Sequence, residues 1–341
     1  MRAIMKIAAE PGNVELREID EPQVKDGQVK IKVEYAGICG TDIKIQKGEA
    51  WSNPPVVLGH EFSGVVCEIG EGVTGVKPGD RVVSETAQII CGKCGHCING
   101  TYLMCPSRLS IGYGTHGAFT SYIVVREAIV HKIPDGVGLD EAALCEPSAV
   151  AVHAVLDSVS LLPADVVVVM GPGAIGLLVA QVVKACGASC VITGVGSDVE
   201  RLKVARGLGI DYVINSQDID IVTKIKEMTG GKGADYVIDC SGSGAAINDG
   251  IYMLKRRGTM VQVGLTRPML EIPYASLANN EQIIRGTFGH RWDNWEQSLK
   301  LLEQKKVKTK PLITDVFSID EWEKAFDKAE RQEGIKILFK L

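Results

Sequence analysis

Val166-Val-Val-Val-Met170 is uniformly apolar and runs straight into Gly171-Pro-Gly-Ala-Ile-Gly176. Five apolar residues without alternation describe a strand covered on both faces, and the glycines describe a tight turn into a helix over 175–186. The uncharged run 166–183 is long enough to raise the question of a membrane span, but Gly171-Pro172-Gly173 breaks it into strand, turn and helix. The same alternation continues with strands over 190–193, 212–214, 236–239 and 259–263. Helices over 198–208, 219–228 and 245–254 lie between them, with Asp198 placed to cap the first. The pattern predicts a doubly wound parallel sheet with helices on both faces.

In that setting Gly171-x-Gly173-x-x-Gly176 is a dinucleotide signal rather than a glycine-rich packing turn, because it leaves a strand and opens a helix. The pyrophosphate of NAD or NADP would sit on the N–H groups around Gly171, Gly173, Ala174, Ile175 and Gly176. Val263, closing the 259–263 strand, is a further cofactor candidate. Enzymes that prefer NAD usually carry an acid at the end of the second strand, to bond the ribose. This chain has Gly194 there, followed by Ser197, Asp198 and Arg201. Loss of the acid removes a repulsion of the 2′-phosphate, which Ser197 or Arg201 can meet. Asp198 can restore ribose recognition, so the lean toward NADP is slight.

The first 135 residues read differently. Short runs over 28–34, 62–69 and 81–84 are separated by dense turns, as in an antiparallel barrel or sandwich. Residues 140–156 read as one helix that Pro147 kinks or interrupts. After about residue 288 the character is mixed, with helices over 294–304 and 319–331 and a last strand over 336–340. The length, 341 residues, suits two domains. With 45% hydrophobic and 23% charged residues and a net charge of −5, no basic surface points to nucleic acid or to an anionic membrane. No signal-peptide core follows Met1–Lys6, which predicts a cytoplasmic protein whose ten cysteines stay reduced.

Four of those cysteines, Cys91, Cys94, Cys97 and Cys105, share one glycine-rich loop. Four thiolates complete the closed tetrahedral shell of a structural zinc. Iron–sulfur ligation is the rival, but such runs place three residues before the last cysteine, not seven. His96 can replace one thiolate. Cys67, Cys186, Cys190 and Cys240 read as small buried hydrophobes. A second, dispersed group joins Cys39 in Gly37-Ile-Cys-Gly-Thr-Asp42 to His60 and Glu61 in Gly59-His-Glu-Phe-Ser-Gly64, with Asp42 available to orient the imidazole. His116, His131 and His153 read as structural.

These pieces resemble the zinc-dependent medium-chain alcohol dehydrogenase family over essentially the whole chain. The match rests on Gly59-His-Glu-x2-Gly64-x5-Gly70-x2-Val73, the turn Val76-Lys-Pro-Gly-Asp-Arg-Val82, the four-cysteine loop and the glycine-rich turn. It is nearest to the sorbitol (L-iditol) and threonine dehydrogenase branch, since Leu144-Cys145-Glu146-Pro147 carries Glu-Pro where classical members place a zinc cysteine. The resemblance implies a catalytic zinc on Cys39 and His60, with Glu61 and Glu146 as direct or water-mediated ligands; Cys145 is the alternative third ligand. It implies Thr41 as the relay hydroxyl and His290 as a substrate contact. Where many members complete the relay with histidine, this chain has Lys44, whose role is open.

The fold expected is a GroES-like β-barrel catalytic domain, residues 1–149 and 288–341, with an inserted Rossmann domain, residues 150–287, and an active site in the cleft. The activity expected is reversible NAD(P)-dependent oxidation of a secondary alcohol, a polyol or sugar alcohol, by a homodimer or homotetramer carrying two zinc ions per chain. L-Threonine 3-dehydrogenase is the alternative enzyme, and a zinc-stabilised NADP-binding sensor without turnover is the alternative of another class.

Overall fold

The computed structural model describes residues 1–265 and 269–341. It divides into two compact units: residues 1–146, 291–303 and 309–341, and residues 147–290 with 304–308.

The first unit begins with β1 (Arg2–Lys6), β2 (Val14–Glu18), β3 (Gln28–Gly37), α1 (Gly40–Gln46), β4 (Val56–Val57), β5 (Glu61–Ile69) and β6 (Arg81–Ser84). It continues through α2 (Gly95–Ile98), β7 (Tyr122–Arg126), β8 (Val130–Lys132) and α3 (Leu139–Ala142) to the start of α4 (Cys145–Val152). The helix expected over 140–156 is therefore two helices and a π-turn over His153–Asp157. The break at Ala143–Leu144 precedes Pro147, which sits in the first turn of α4, where its missing N–H removes no intrahelical bond.

The second unit alternates β9 (Val166–Met170), α5 (Ala174–Ala185), β10 (Ser189–Gly194), α6 (Val199–Gly207), β11 (Tyr212–Asn215), α7 (Ile221–Met228), β12 (Ala234–Asp239), α8 (Gly244–Met253), β13 (Leu254–Gln262), α9 (Tyr274–Asn279) and β14 (Ile283–Gly286). Its strands pair in the order β11-β10-β9-β12-β13-β14, every pairing parallel. The uniformly apolar β9 is central, and Val167, Val168 and Val169 are fully buried, as a strand covered on both faces must be. No described helix is long and apolar enough to cross a membrane. β14 was not expected from sequence; four residues of an exposed edge give little pattern to read.

The chain then returns to the first unit with α10 (Trp292–Glu303), β15 (Ile313–Ser318), α11 (Trp322–Glu330) and β16 (Lys336–Lys340). β16 enters the large sheet between β15 and β3, in the order β15-β16-β3-β5-β6-β8, with β7 also on β3; β2-β1-β4 form a second sheet. Phe119 stacks edge-on at 5.1 Å to Phe339 and 6.1 Å to Phe326, so the returning segment closes the core of the first. Each such pair adds roughly 0.5–1.5 kcal/mol beyond area burial. Of the four cysteines expected to be buried, Cys190 is, Cys186 and Cys240 are half-buried, and Cys67 is exposed.

Candidate active site

Two strands and a helix assemble the dispersed group. β3 ends at Gly37, Cys39 precedes α1, and His60 immediately precedes Glu61, which opens β5; β5 runs antiparallel to β3 with Gly37 opposite Glu61. The register thus brings two sequence-distant segments together. One ligand atom each from Cys39, His60 and Glu61 lies within 4.8 Å of the others. His60 and Glu61 are buried, and Nδ1 of His60 is buried without a hydrogen-bond partner. A half-buried cysteine sulfur beside a buried imidazole and a buried carboxylate is the donor set of an open zinc site. Cys39, His60 and Glu61 would hold the ion.

Asp42 Oδ1 stands 3.8 Å from His60 Nδ1, within ion-pair reach of the imidazole but beyond a hydrogen bond. Its fully buried carboxylate instead accepts from the backbone N–H of Cys39 at 2.9 Å and of Gly59 at 3.3 Å, tying the two ligand-bearing segments to each other. Burial pushes the His60 imidazole down, but Cys39, Asp42 and Glu146 outweigh it and hold the group well above its ordinary value. Burial pushes the Glu61 carboxyl up, against Lys336 and with Glu146.

Lys336 is the member that sequence reasoning missed. It opens β16, is buried, and its Nζ donates to Glu61 Oε2 at 2.6 Å and to the Ile38 carbonyl at 3.1 Å. Thr41, in the first turn of α1, has its hydroxyl 3.7 Å from Cys39 Sγ. Lys44 lies half-buried one turn further on. Glu146, second residue of α4, lies outside the 4.8 Å set, yet bears electrostatically on His60, Glu61 and Lys336. Cys145 also lies outside it, fully buried, its thiol pushed up first by burial and then by Glu146. The ring of Tyr113 meets His60 edge-on at 6.0 Å, its hydroxyl accepting from Arg108 at 3.2 Å.

The four sulfurs of Cys91, Cys94, Cys97 and Cys105 also converge within 4.8 Å. Cys94 to Cys97 is 3.5 Å and Cys91 to Cys97 is 3.9 Å. A tetrahedron of thiolates about 2.3 Å from zinc has edges near 3.8 Å, so the loop is already shaped for the ion. Backbone N–H groups of Lys93 and Cys94 pull the Cys91 thiol down to about 6. His96 is exposed and bonds Thr101, not the cluster.

In the second unit Gly171 has φ +94°, and Gly176 sits so close that a Cβ on it would run into the Gly171 carbonyl. Gly173 precedes α5, and a Cβ there would meet nothing within 4 Å. Ala174, Ile175 and Gly176 form the first turn of α5, leaving open space over a helix start, the cradle a pyrophosphate needs. Gly194 ends β10; a Cβ on it would lie 2.9 Å from Pro172 Cγ and 3.1 Å from Asp198 Cβ. Asp198 stands at the start of α6 but makes no side-chain cap to it. Its carboxylate turns back to the Val195 N–H at 3.1 Å and pairs with Arg201 at 3.4 Å. Ser197 is exposed, and Val263 donates its N–H to the Asp239 carbonyl. His290, buried, ends the long segment of this unit. His131 is buried between Glu85 and Glu296 and stacks on Trp295, which fits a structural histidine.

Comparison with known proteins agrees with this geometry. Residues 25–135 match the alcohol dehydrogenase GroES-like domain and residues 174–304 the zinc-binding dehydrogenase family. The chain is 42% identical to the sorbitol dehydrogenase of Halalkalibacterium halodurans, over 99% of this chain and 98% of that one. It is 37% identical to the D-arabitol-phosphate dehydrogenase of Enterococcus avium, over 99% and 97%. The crystal structure of 2R,3R-butanediol dehydrogenase from Bacillus subtilis superposes with a TM-score of 0.91 at 30% identity, covering 100% of this chain and 99% of that one.

Proposed function

The chain belongs to the zinc-dependent medium-chain alcohol dehydrogenase family, and on that footing we propose that it oxidises a polyol at a secondary hydroxyl, using NAD or NADP. The convergence of donor atoms from Cys39, His60 and Glu61 within 4.8 Å carries this reading. Zinc bound there supplies Lewis acidity toward the hydroxyl, and the nicotinamide supplies a hydride acceptor. Thr41, its hydroxyl beside Cys39, takes the hydroxyl proton. Lysine offers donors rather than an acceptor, so Lys44 does not replace the relay histidine, and Thr41 hands the proton to cofactor ribose or water. Glu61 keeps one oxygen on Lys336. A second hydroxyl, as a diol offers and a mono-alcohol does not, can bond Glu146 or reach the metal, which favours a polyol at this site.

We assign the catalytic role to residues 1–149 and 288–341, the dinucleotide role to 150–287, and substrate contact to His290. A cytoplasmic location would keep the metal-binding thiols reduced.

The test is an assay at 340 nm with sorbitol, D-arabitol and its phosphate, 2,3-butanediol, a matched mono-alcohol and L-threonine, each with both cofactors. A polyol should exceed the mono-alcohol and L-threonine at least tenfold in kcat/KM, about 1.4 kcal/mol. Efficient oxidation of L-threonine with no polyol activity overturns the reading. Cofactor binding with no turnover on any alcohol leaves the sensor alternative. NADP should serve at least as well as NAD, because Gly194 offers no acid. Adding one there is obstructed by Pro172 and Asp198, so Arg201→Ala, which should move preference toward NAD, is the cleaner variant.

A further inference from the structure

Asp239 ends β12 in the dinucleotide unit, is fully buried, and takes no part in the roles assigned above. Its carboxylate is saturated with donors. Oδ1 accepts from the Ser241 N–H at 3.1 Å and the Ser241 hydroxyl at 2.6 Å. Oδ2 accepts from the Gly242 N–H at 3.0 Å and from Gln262 Nε2 at 2.6 Å. Gln262, paired with it across β13, also donates to the Gly264 carbonyl at 2.7 Å. The main chain repeats the pattern: the Asp239 carbonyl accepts from Val263 at 2.9 Å and Gly264 at 2.8 Å, and Cys240 donates to Met170 at the end of β9.

One carboxylate therefore joins the carboxyl ends of β12 and β13, beside β9. That edge of a parallel sheet is where a doubly wound fold receives its ligand. The joint reaches the glycine-rich turn as well: a Cβ on Gly171 would lie 3.0 Å from Ser241 Cα and Cβ, and one on Gly264 would lie 2.8 Å from Asp239 Oδ2. Both glycines are closely approached, so a displacement at Ser241 passes to the Gly171 turn and one at Gly264 passes to Gly242 and Asp239.

We propose that Asp239 is a positioning residue for the dinucleotide, fixing residues 241–243 against the Gly171 turn, and residues 263–264 against Gly242, from inside the fold. This rests on the dinucleotide reading of that unit. The charge matters as well as the shape. Asparagine at 239 would turn an NH2 toward the Gly242 N–H and the Gln262 amide, donor against donor, and the two loop ends would separate.

The test uses the full-length, zinc-loaded enzyme and titrates NADH and NADPH by nicotinamide fluorescence. Asp239→Asn should raise the Kd for reduced cofactor at least fivefold and its KM in parallel. Zinc content, kcat at saturating cofactor and KM for the alcohol should stay within threefold, a split that general loosening of the fold would not give. A smaller rise in Kd, or a fall in kcat without it, overturns the proposal. Should Asp239→Asn not fold, Gln262→Met, which keeps the volume and removes the amide, decides it by the same measurement, with threefold as the threshold. A wild-type enzyme that binds neither cofactor overturns the dinucleotide reading and this inference together. Wild-type binding with an equally competent variant overturns this inference alone.

Discussion

Removing the ammonium of Lys336 would take from the Glu61 carboxylate, 1% exposed, its ion-pair partner at 2.6 Å. Breaking such a buried pair costs about 3–5 kcal/mol, because the surviving charge is stranded rather than because the pair is strong. A bound zinc would offset part of that cost, so the loss should depend on metal. Lys336→Met should lower the apparent Tm of chelator-treated enzyme at least twice as far as that of zinc-loaded enzyme, measured against wild type in each state. Equal drops would mean that Lys336 does not share Glu61 with a metal. Sequence could not disclose this residue. A lysine opening Lys336-Ile-Leu-Phe-Lys340 looks like the charge that flanks any apolar strand, and its partner lies 275 positions away. Cys39, His60 and Glu61 were legible only together, as a soft and a borderline ligand beside a carboxylate, and their role as zinc ligands came from the family resemblance. Asp42 was legible as a supporting group, but its partners were not: backbone N–H groups leave no trace in sequence.

At the scale of the element, the cysteine loop shows why a short segment can need a metal. Leu103 and Cys105 are buried, but Ile98 is 73% exposed and Met104 49%, so the loop has almost no apolar interior of its own. Its anchor to the rest of the unit includes Tyr102, whose hydroxyl donates to buried Glu85 at 2.5 Å. With so little core, thiolate–metal bonds are the available source of folding free energy. Cys94→Ser should therefore lose zinc, disorder the loop and lower Tm. Cys39→Ser should keep the fold, retain one zinc and abolish turnover. Wild type should carry two zinc ions per chain by atomic emission, and fully active protein with one would falsify the division of labour. The spacing of these four cysteines made the loop readable before any coordinates, whereas the split of residues 140–156 was not. Pro147 marks an interruption somewhere nearby but is equally at home in a first turn, and only packing decided that the break falls at Ala143–Leu144.

For the whole molecule, the change from period-two strands to alternating strand and helix announced two kinds of architecture, and the glycine-rich turn marked the second as the one with the dinucleotide signal. Edges of sheets were the blind spot, because an edge strand is defined by what fails to pair with it. β14 is the clearest case. It pairs with β13 and, among the described residues, with no other strand, and Ile283 and Ile284, facing opposite sides of the sheet, are 54% and 41% exposed. The edge carries unpaired N–H and carbonyl groups and two large apolar side chains, and its one charge, Arg285, is turned to the Ser158 carbonyl at 3.2 Å, which leaves the strand open to pairing. The occupant that fits every position of such an edge is the same edge of a second copy, since a two-fold axis makes one short strand complementary to itself. We therefore expect a homodimer, or a homotetramer built from it, with β14 strands side by side. Light scattering of the zinc-loaded enzyme should give an even multiple of the chain mass. Ile283→Lys with Ile284→Lys, placing charge on both sides of the joint, should halve that multiple while leaving the metal content unchanged. A wild-type monomer would remove the need for the joint, and an unaltered mass in the double variant would move the interface to another surface.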